Sequence, residues 1–392
     1  MIKKSTIANC IFTITLLYII SPWFFERKLL FNEILVAIAI LLFTYKRFRV
    51  GNDKISIYML LLLTWGGVHL ITSLFRMDSL YYYLRNSVIV YSMSTFFIGY
   101  YFLKYLKGYI DKIRTLLRSY IGIFLFIPLP RYLFERFGMS MLFPALFKKA
   151  GTYVPFILLL INIIYGFTYD SLTALTLSAF YLLLFISPGY KFFSQVIALG
   201  FIVFAGFFIY LHPNLELIGN RYSPYNHIGI FDVIHSHPIL SIDGNSTWRL
   251  VLWNQIIFDN FPTNIFGLGF GTPAIRYYPV EDYSKLSTLP YVLGAHNSFV
   301  YLFGRLGIIY VLLITPIYIK IFKEYFYYKS YYYSNKQIFI FWSFFAATMI
   351  ALFNPALESP IYASGYWMLL GFVARAIHNR IYLPQNISPA TR

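Results

Sequence analysis

Apolar residues in this chain recur in blocks of about 17 to 25, the length a helix needs to cross the hydrocarbon core of a bilayer. Such runs lie near residues 5–24, 29–45, 55–75, 84–106, 115–131, 132–147, 152–168, 170–187, 192–211, 297–321, 337–354 and 360–381. A helix in a water-soluble domain keeps one polar face, and these runs have almost none. Membrane barrels alternate polar and apolar residues, and these runs do not. With 59% of residues hydrophobic and only 12% charged, the sequence predicts an all-α polytopic membrane protein with about twelve spans.

The formal charge of +17 is spread among the connections rather than gathered into one patch, which argues against a nucleic-acid partner. Lys3-Lys4, then Lys46-Arg47-Arg49-Lys54, then Lys104 to Arg118 alternate along the first four runs as cytoplasmic markers. Lys148-Lys149 and Lys191 continue the alternation, and Lys320, Lys323, Lys329 and Lys336 mark the connection after the 297–321 run as cytoplasmic. The long polar stretch 212–295 then lies on the outer side, so an odd number of spans precedes it. Nine fit if the proline-rich region around Pro128, Pro130 and Pro144 counts as two. That stretch holds four Arg or Lys against six Asp or Glu, which suits an outer loop in so basic a chain. The expected organisation is a bundle over 1–211, a large periplasmic loop over 212–295 between helices 9 and 10, and a three-span bundle with a cytoplasmic tail over 296–392. The basic start runs into Ser21-Pro22-Trp23 with no small-residue cleavage site and reads as a retained first span. A single cysteine, Cys10, excludes an intrachain disulfide and a cysteine-based zinc site.

Within the loop, Asp243-Gly244-Asn245-Ser246 has turn chemistry, and Ser246 or Thr247 is placed to cap a short helix. Leu250, Trp253 and Ile257 then share one apolar face, which Pro262 ends. Arg249, beside Trp248 near that helix start, offers a planar fork of donors suited to phosphate oxygens, reinforced by free backbone N–H groups. His296, followed by Asn297, opens the next apolar run, and a neutral imidazole is the side chain best suited to take a proton from a hydroxyl near pH 7. Arg85, Arg221, Arg276 and Arg305 are further candidate anion contacts, each weighed against a solvated or snorkelling arginine. Gly267, Gly269 and Gly271 follow no βαβ strand, so close backbone approach in a turn explains them better than a nucleotide fingerprint. His227, His235 and His237 with Asp232 lack metal-ligand spacing, and neither a metal nor another cofactor is expected.

Taken in order, W-R-L-x-x-W at 248–253, G-L-G-F-G-T at 267–272 and A-H-N-S-F-x-Y-L-x-x-x-L-G at 295–307, after many spans, resemble the O-antigen ligase and polymerase superfamily of bacterial envelope glycan enzymes. Many members carry a Ser-Arg pair in a span before the loop, where this chain has Thr176-Leu177-Ser178-Ala179. The resemblance implies an inner-membrane, metal-independent, inverting glycosyltransferase with its site facing the periplasm. Its donor would be a glycan carried on undecaprenyl pyrophosphate, and its acceptor a lipid-linked repeat unit or lipid A–core. Membrane lipids and a chain-length regulator are the other expected partners. His296 would act as general base on the acceptor hydroxyl, and Arg249, with Arg85, would hold the departing pyrophosphate. Trp248, Asn297, Arg221 and Arg305 are the remaining expected substrate contacts. The run HNSFVYLFGRLG favours a polymerase over a ligase. A polysaccharide flippase is the reading from another class, but one large loop after the ninth span breaks the repeated halves that transporters show.

Overall fold

The computed structural model describes residues 53–119, 172–219, 249–250, 252–274, 295–329 and 335–381, the helix over 31–45, and helical pieces within 5–14 and 159–164. Among these residues the chain is all-helical, with no strand. The principal helices are α1 (Phe31–Tyr45), α2 (Lys54–Ser73), α3 (Leu80–Tyr91), α4 (Thr95–Ser119), α5 (Leu172–Ile186), α6 (Tyr190–Gly219), α7 (Ser298–Lys329), α8 (Asn335–Phe353) and α9 (Pro360–Ile381). Among the described residues, three stretches, Lys54–Ser73, Tyr190–Tyr210 and Ser298–Phe326, are long and apolar enough to cross a membrane. The sequence-predicted spans over 115–131 and 132–147 lie almost wholly outside the described residues.

Local chemistry explains where several helices start. Asp53 caps α2 by accepting from the Ser56 amide at 2.9 Å. The same carboxylate accepts from the Tyr100 hydroxyl at 2.9 Å, tying α2 to α4. Pro360 opens α9, where its missing N–H has no intrahelical partner to lose. The run predicted as one span over 84–106 is two helices, α3 and α4, joined by the 3₁₀ turn Ser92–Ser94. Polar residues gather at that break: Ser92 and Ser364 both donate to Asn32, and the Thr95 hydroxyl donates to the Ser364 carbonyl at 3.0 Å. Such bonds satisfy polar side chains that would otherwise be bare in an apolar interior.

The most extensive helix pair is α4 with α9. A Cβ on Gly99 would lie 2.0 Å from the Met368 carbonyl oxygen, and one on Gly371 would lie 2.1 Å from that of Phe96. The two backbones therefore touch, as small residues permit between helices in lipid. Because α4 precedes the long loop and α9 follows it, helices from both sides of the loop share one continuous core. Aromatic rings fill the space among α5 to α8, with Phe322 and Phe345 stacked at 4.8 Å. By contrast, α6 leaves Leu199, Phe201, Ile202, Val203 and Ile209 exposed, a ridge that water would penalise and acyl chains would not.

Candidate active site

The span predicted over 297–321 is sharply broken. Gly307 adopts φ 71, ψ −163 inside α7, a region open essentially to glycine alone. The rings of Phe299 and Tyr318 come within 5.9 Å of each other. A straight helix would separate residues that far apart by about 28 Å, at ~1.5 Å of rise per residue. The segment from Ser298 to Leu306 is thus a short arm folded back on the longer helix that follows it. His296 sits at the tip of this arm and not at the mouth of one straight rod.

The glycine-rich loop closes over the break. Carbonyls that the kink removes from the helical ladder accept from the loop instead: Leu268 N–H donates to Gly304 O at 2.9 Å and Gly269 N–H to Arg305 O at 3.0 Å. A Cβ on Gly307 would fall 2.3 Å from the Ile265 carbonyl oxygen, and one on Gly267 would fall 2.5 Å from that of Arg305. Two backbones lie in contact here, which is the close approach the sequence suggested. Arg305 fastens the same loop from below. Its guanidinium is buried and donates to Gly269 O at 3.0 Å, to Thr272 O at 2.7 Å and to the Tyr301 hydroxyl at 2.8 Å. The Trp65 indole donates to Leu306 O at 2.7 Å, fixing the elbow to α2.

Upstream, residues 249–250 and 252–254 are helical and run into the π-turn Gln255–Asp259. This widened turn shifts the buried face from the regular helical expectation. Leu250, Leu252 and Ile256 are buried, whereas Trp253 and Ile257 are only half-buried. Ile256 packs on Gly304, where a Cβ would meet its Cγ2 at 2.7 Å. The Trp253 ring also makes a polar link. Its indole N–H donates to the Ala295 carbonyl at 2.7 Å, joining the Arg249 helix to the residue before His296.

His296 holds φ 51, the only positive φ on a non-glycine residue among those described. Histidine tolerates this region better than most residues, yet the cost is still of order 1 kcal/mol or more. Both sides of the strained residue are pinned. Trp253 holds Ala295, and the Asn297 carboxamide caps the arm by accepting from Phe299 N–H at 3.0 Å and Val300 N–H at 3.1 Å. Burial pushes the His296 imidazole down to about 4, and the Arg249 guanidinium adds to that shift. At neutral pH the imidazole is therefore uncharged.

No family model, curated protein or solved structure matches the chain.

The positions singled out in the sequence divide as follows. The Arg249 guanidinium comes within electrostatic reach of His296, although the two are far apart in the chain. Arg85 is exposed, hydrogen-bonds Tyr81 Oη at 3.2 Å and acts electrostatically on Tyr301, on the arm that His296 begins. The two arginines thus border the arm from different elements. Asn297 is buried as a helix cap, and Arg305 is engaged by the loop. Trp248, Arg221 and Arg276, with His227, Asp232, His235 and His237, lie outside the described residues. Ser298 and Glu358 went unnoticed in the sequence. The Ser298 hydroxyl donates to Glu358 Oε2 at 2.5 Å, which brings the turn between α8 and α9 against the arm. Glu358 is the single carboxylate after Glu324, a signal available in the sequence, since isolated charges at membrane boundaries are costly to keep.

The Arg249–His296 pair makes a measurable prediction. In the full-length protein in nanodiscs, histidine-selective NMR with His296→Gln as the assignment control should find His296 titrating near pH 4. Arg249→Gln should raise that midpoint, because a nearby positive charge disfavours the imidazolium, but leave it below the ordinary 6.5, because burial remains the larger cause. A wild-type midpoint at 6.5 would contradict this geometry.

Proposed function

We propose that the chain is a multi-pass glycan transferase of the bacterial inner membrane, with about twelve spans and its site on the periplasmic face. It would move an oligosaccharide or polysaccharide from undecaprenyl pyrophosphate onto an acceptor sugar hydroxyl. The observation that carries this reading is that the Arg249 guanidinium lies within electrostatic reach of a neutral, conformationally strained His296. The ordered W-R, G-L-G-F-G-T and A-H-N-S-F motifs support it from the sequence.

The chemistry follows from these groups. The acceptor hydroxyl gives its proton to His296 while its oxygen attacks the anomeric carbon of the donor sugar. The bond from that carbon to the pyrophosphate oxygen breaks, the configuration inverts, and undecaprenyl pyrophosphate leaves with the electron pair. Negative charge grows on the leaving group, and a fixed guanidinium stabilises it most where water is excluded. The same anion has a second effect on the base. A pyrophosphate beside Arg249 offsets the guanidinium's field and favours imidazolium, so donor binding raises the proton affinity of His296 when it is needed. The sequence places no carboxylate cluster near the motifs, so the arginines stand where a divalent cation would otherwise serve.

The run HNSFVYLFGRLG favours polymerisation of lipid-linked repeat units over ligation to lipid A–core. Deleting the gene in its host should leave lipopolysaccharide carrying a single repeat unit. Bare core with accumulated lipid-linked polymer would instead establish the ligase reaction, and an unchanged glycan profile would count against both.

A further inference from the structure

The turn between α8 and α9 is built around one side chain of the arm. Ser298 Oγ donates to Glu358 Oε2 at 2.5 Å and lies 3.2 Å from the Asn354 carbonyl oxygen, while the Leu357 amide donates to Ser298 Oγ at 2.9 Å. Ser298 is fully buried, and Glu358 is half-buried between two spans. Three groups of one turn thus converge on the residue two places after His296. Arg305, which holds the glycine loop, also lies within electrostatic reach of the Glu358 carboxyl. A carboxylate buried among packed helices is costly, and a structural serine needs only a carbonyl to satisfy its hydroxyl. The Asn354 carbonyl is already available for that purpose, so the acid calls for a further explanation.

We propose that Glu358 is a positioning residue for His296, acting through Ser298, so that the α8–α9 turn sets where the imidazole stands. The left-handed backbone at His296 survives only if its neighbours over-determine it. On the upstream side Trp253 does so, through Ala295. On the downstream side Asn297 caps the arm internally, and its link to the rest of the bundle runs through Ser298 to the α8–α9 turn. Releasing Ser298 lets the arm's first turn shift, relaxes the left-handed residue and opens the imidazole to water. A misplacement of about 1 Å is enough to cost about 10²-fold in a reaction that depends on near-attack geometry.

This inference rests on the transferase reading for its kinetic arm and on nothing but the fold for its spectroscopic arm. The experiment uses full-length protein in nanodiscs, comparing wild type with Ser298→Ala, Glu358→Ala and Glu358→Gln. By histidine-selective NMR, Ser298→Ala and Glu358→Ala should each raise the His296 midpoint by about one pH unit or more as water gains access. Glu358→Gln, which keeps an oxygen for the Ser298 hydroxyl, should return it most of the way. With lipid-linked oligosaccharide from the host as donor and acceptor, the alanine variants should lose about 10- to 100-fold in kcat with KM little changed. In a His296→Ala background the same substitutions should cost less than about twofold, because there is no imidazole left to place. An unmoved His296 midpoint in both alanine variants would overturn the proposal, as would an equal kcat loss with and without His296. If the wild-type protein makes no new glycosidic bond, the transferase reading fails, and the midpoint shifts still decide the positioning role; if His296→Ala leaves transfer intact, only the role of His296 as base fails.

Discussion

His296→Ala should lower glycan transfer by about 10²- to 10⁴-fold, the usual contribution of a positioned general base, while the protein still inserts and folds. Alanine keeps its Cβ and so does not relieve the strain at φ 51, and it leaves the space of a buried imidazole empty, so a modest loss of stability is expected beside the kinetic one. The check is initial rate in proteoliposomes at saturating donor, alongside thermal stability of the same preparation. Because the base acts only as the acceptor oxygen attacks, the loss should appear in kcat and in kcat/KM alike. A variant that keeps kcat but needs more donor would instead mark His296 as a binding residue.

The largest structural effect is expected at Gly307. Alanine there meets two penalties at once: a backbone region closed to side chains, and a Cβ placed 2.3 Å from the Ile265 carbonyl oxygen. Each is worth about 1–3 kcal/mol, and together about 2–6 kcal/mol, which is a large part of a typical stability. The loop cannot simply yield, because its amides replace the helical partners of Gly304 and Arg305. Gly307→Ala should therefore lower the unfolding temperature of detergent-solubilised protein sharply and abolish transfer. An alanine at Gly67, where nothing lies within 4 Å of the added Cβ, is the matched control and should leave both nearly unchanged.

How far the sequence foretold this arrangement depends on the kind of signal. Helices α1, α2, α8 and α9 fall close to the predicted runs because hydropathy alone sets their extent in an apolar medium. The elbow at Gly307 was hidden, since Leu306-Gly307-Ile308-Ile309 is as apolar as its surroundings and glycine is common in membrane helices. Only the loop's hydrogen bonds and backbone contacts around it, made by residues far away in sequence, turn that glycine into a hinge. The break between α3 and α4 was hidden for a similar reason: Ser92, Ser94 and Thr95 are ordinary span residues until Asn32 and Ser364 are placed beside them. At the site, chemistry made Arg249 and His296 candidates, but spacing could not bring them together. The Trp253 indole does so by bonding to Ala295 O, a contact that no periodicity encodes. Glu358 was legible as an isolated acid, yet its partner Ser298 lies on another helix.

The most direct measurement follows both products of one turnover. Purified wild-type protein in proteoliposomes, given lipid-linked oligosaccharide in the presence of EDTA, should release one undecaprenyl pyrophosphate for each new glycosidic bond, and the Arg249→Ala and His296→Ala proteins should each release almost none. Movement of the lipid-linked glycan across the bilayer with no new bond, or transfer by both variants at the wild-type rate, would contradict the account.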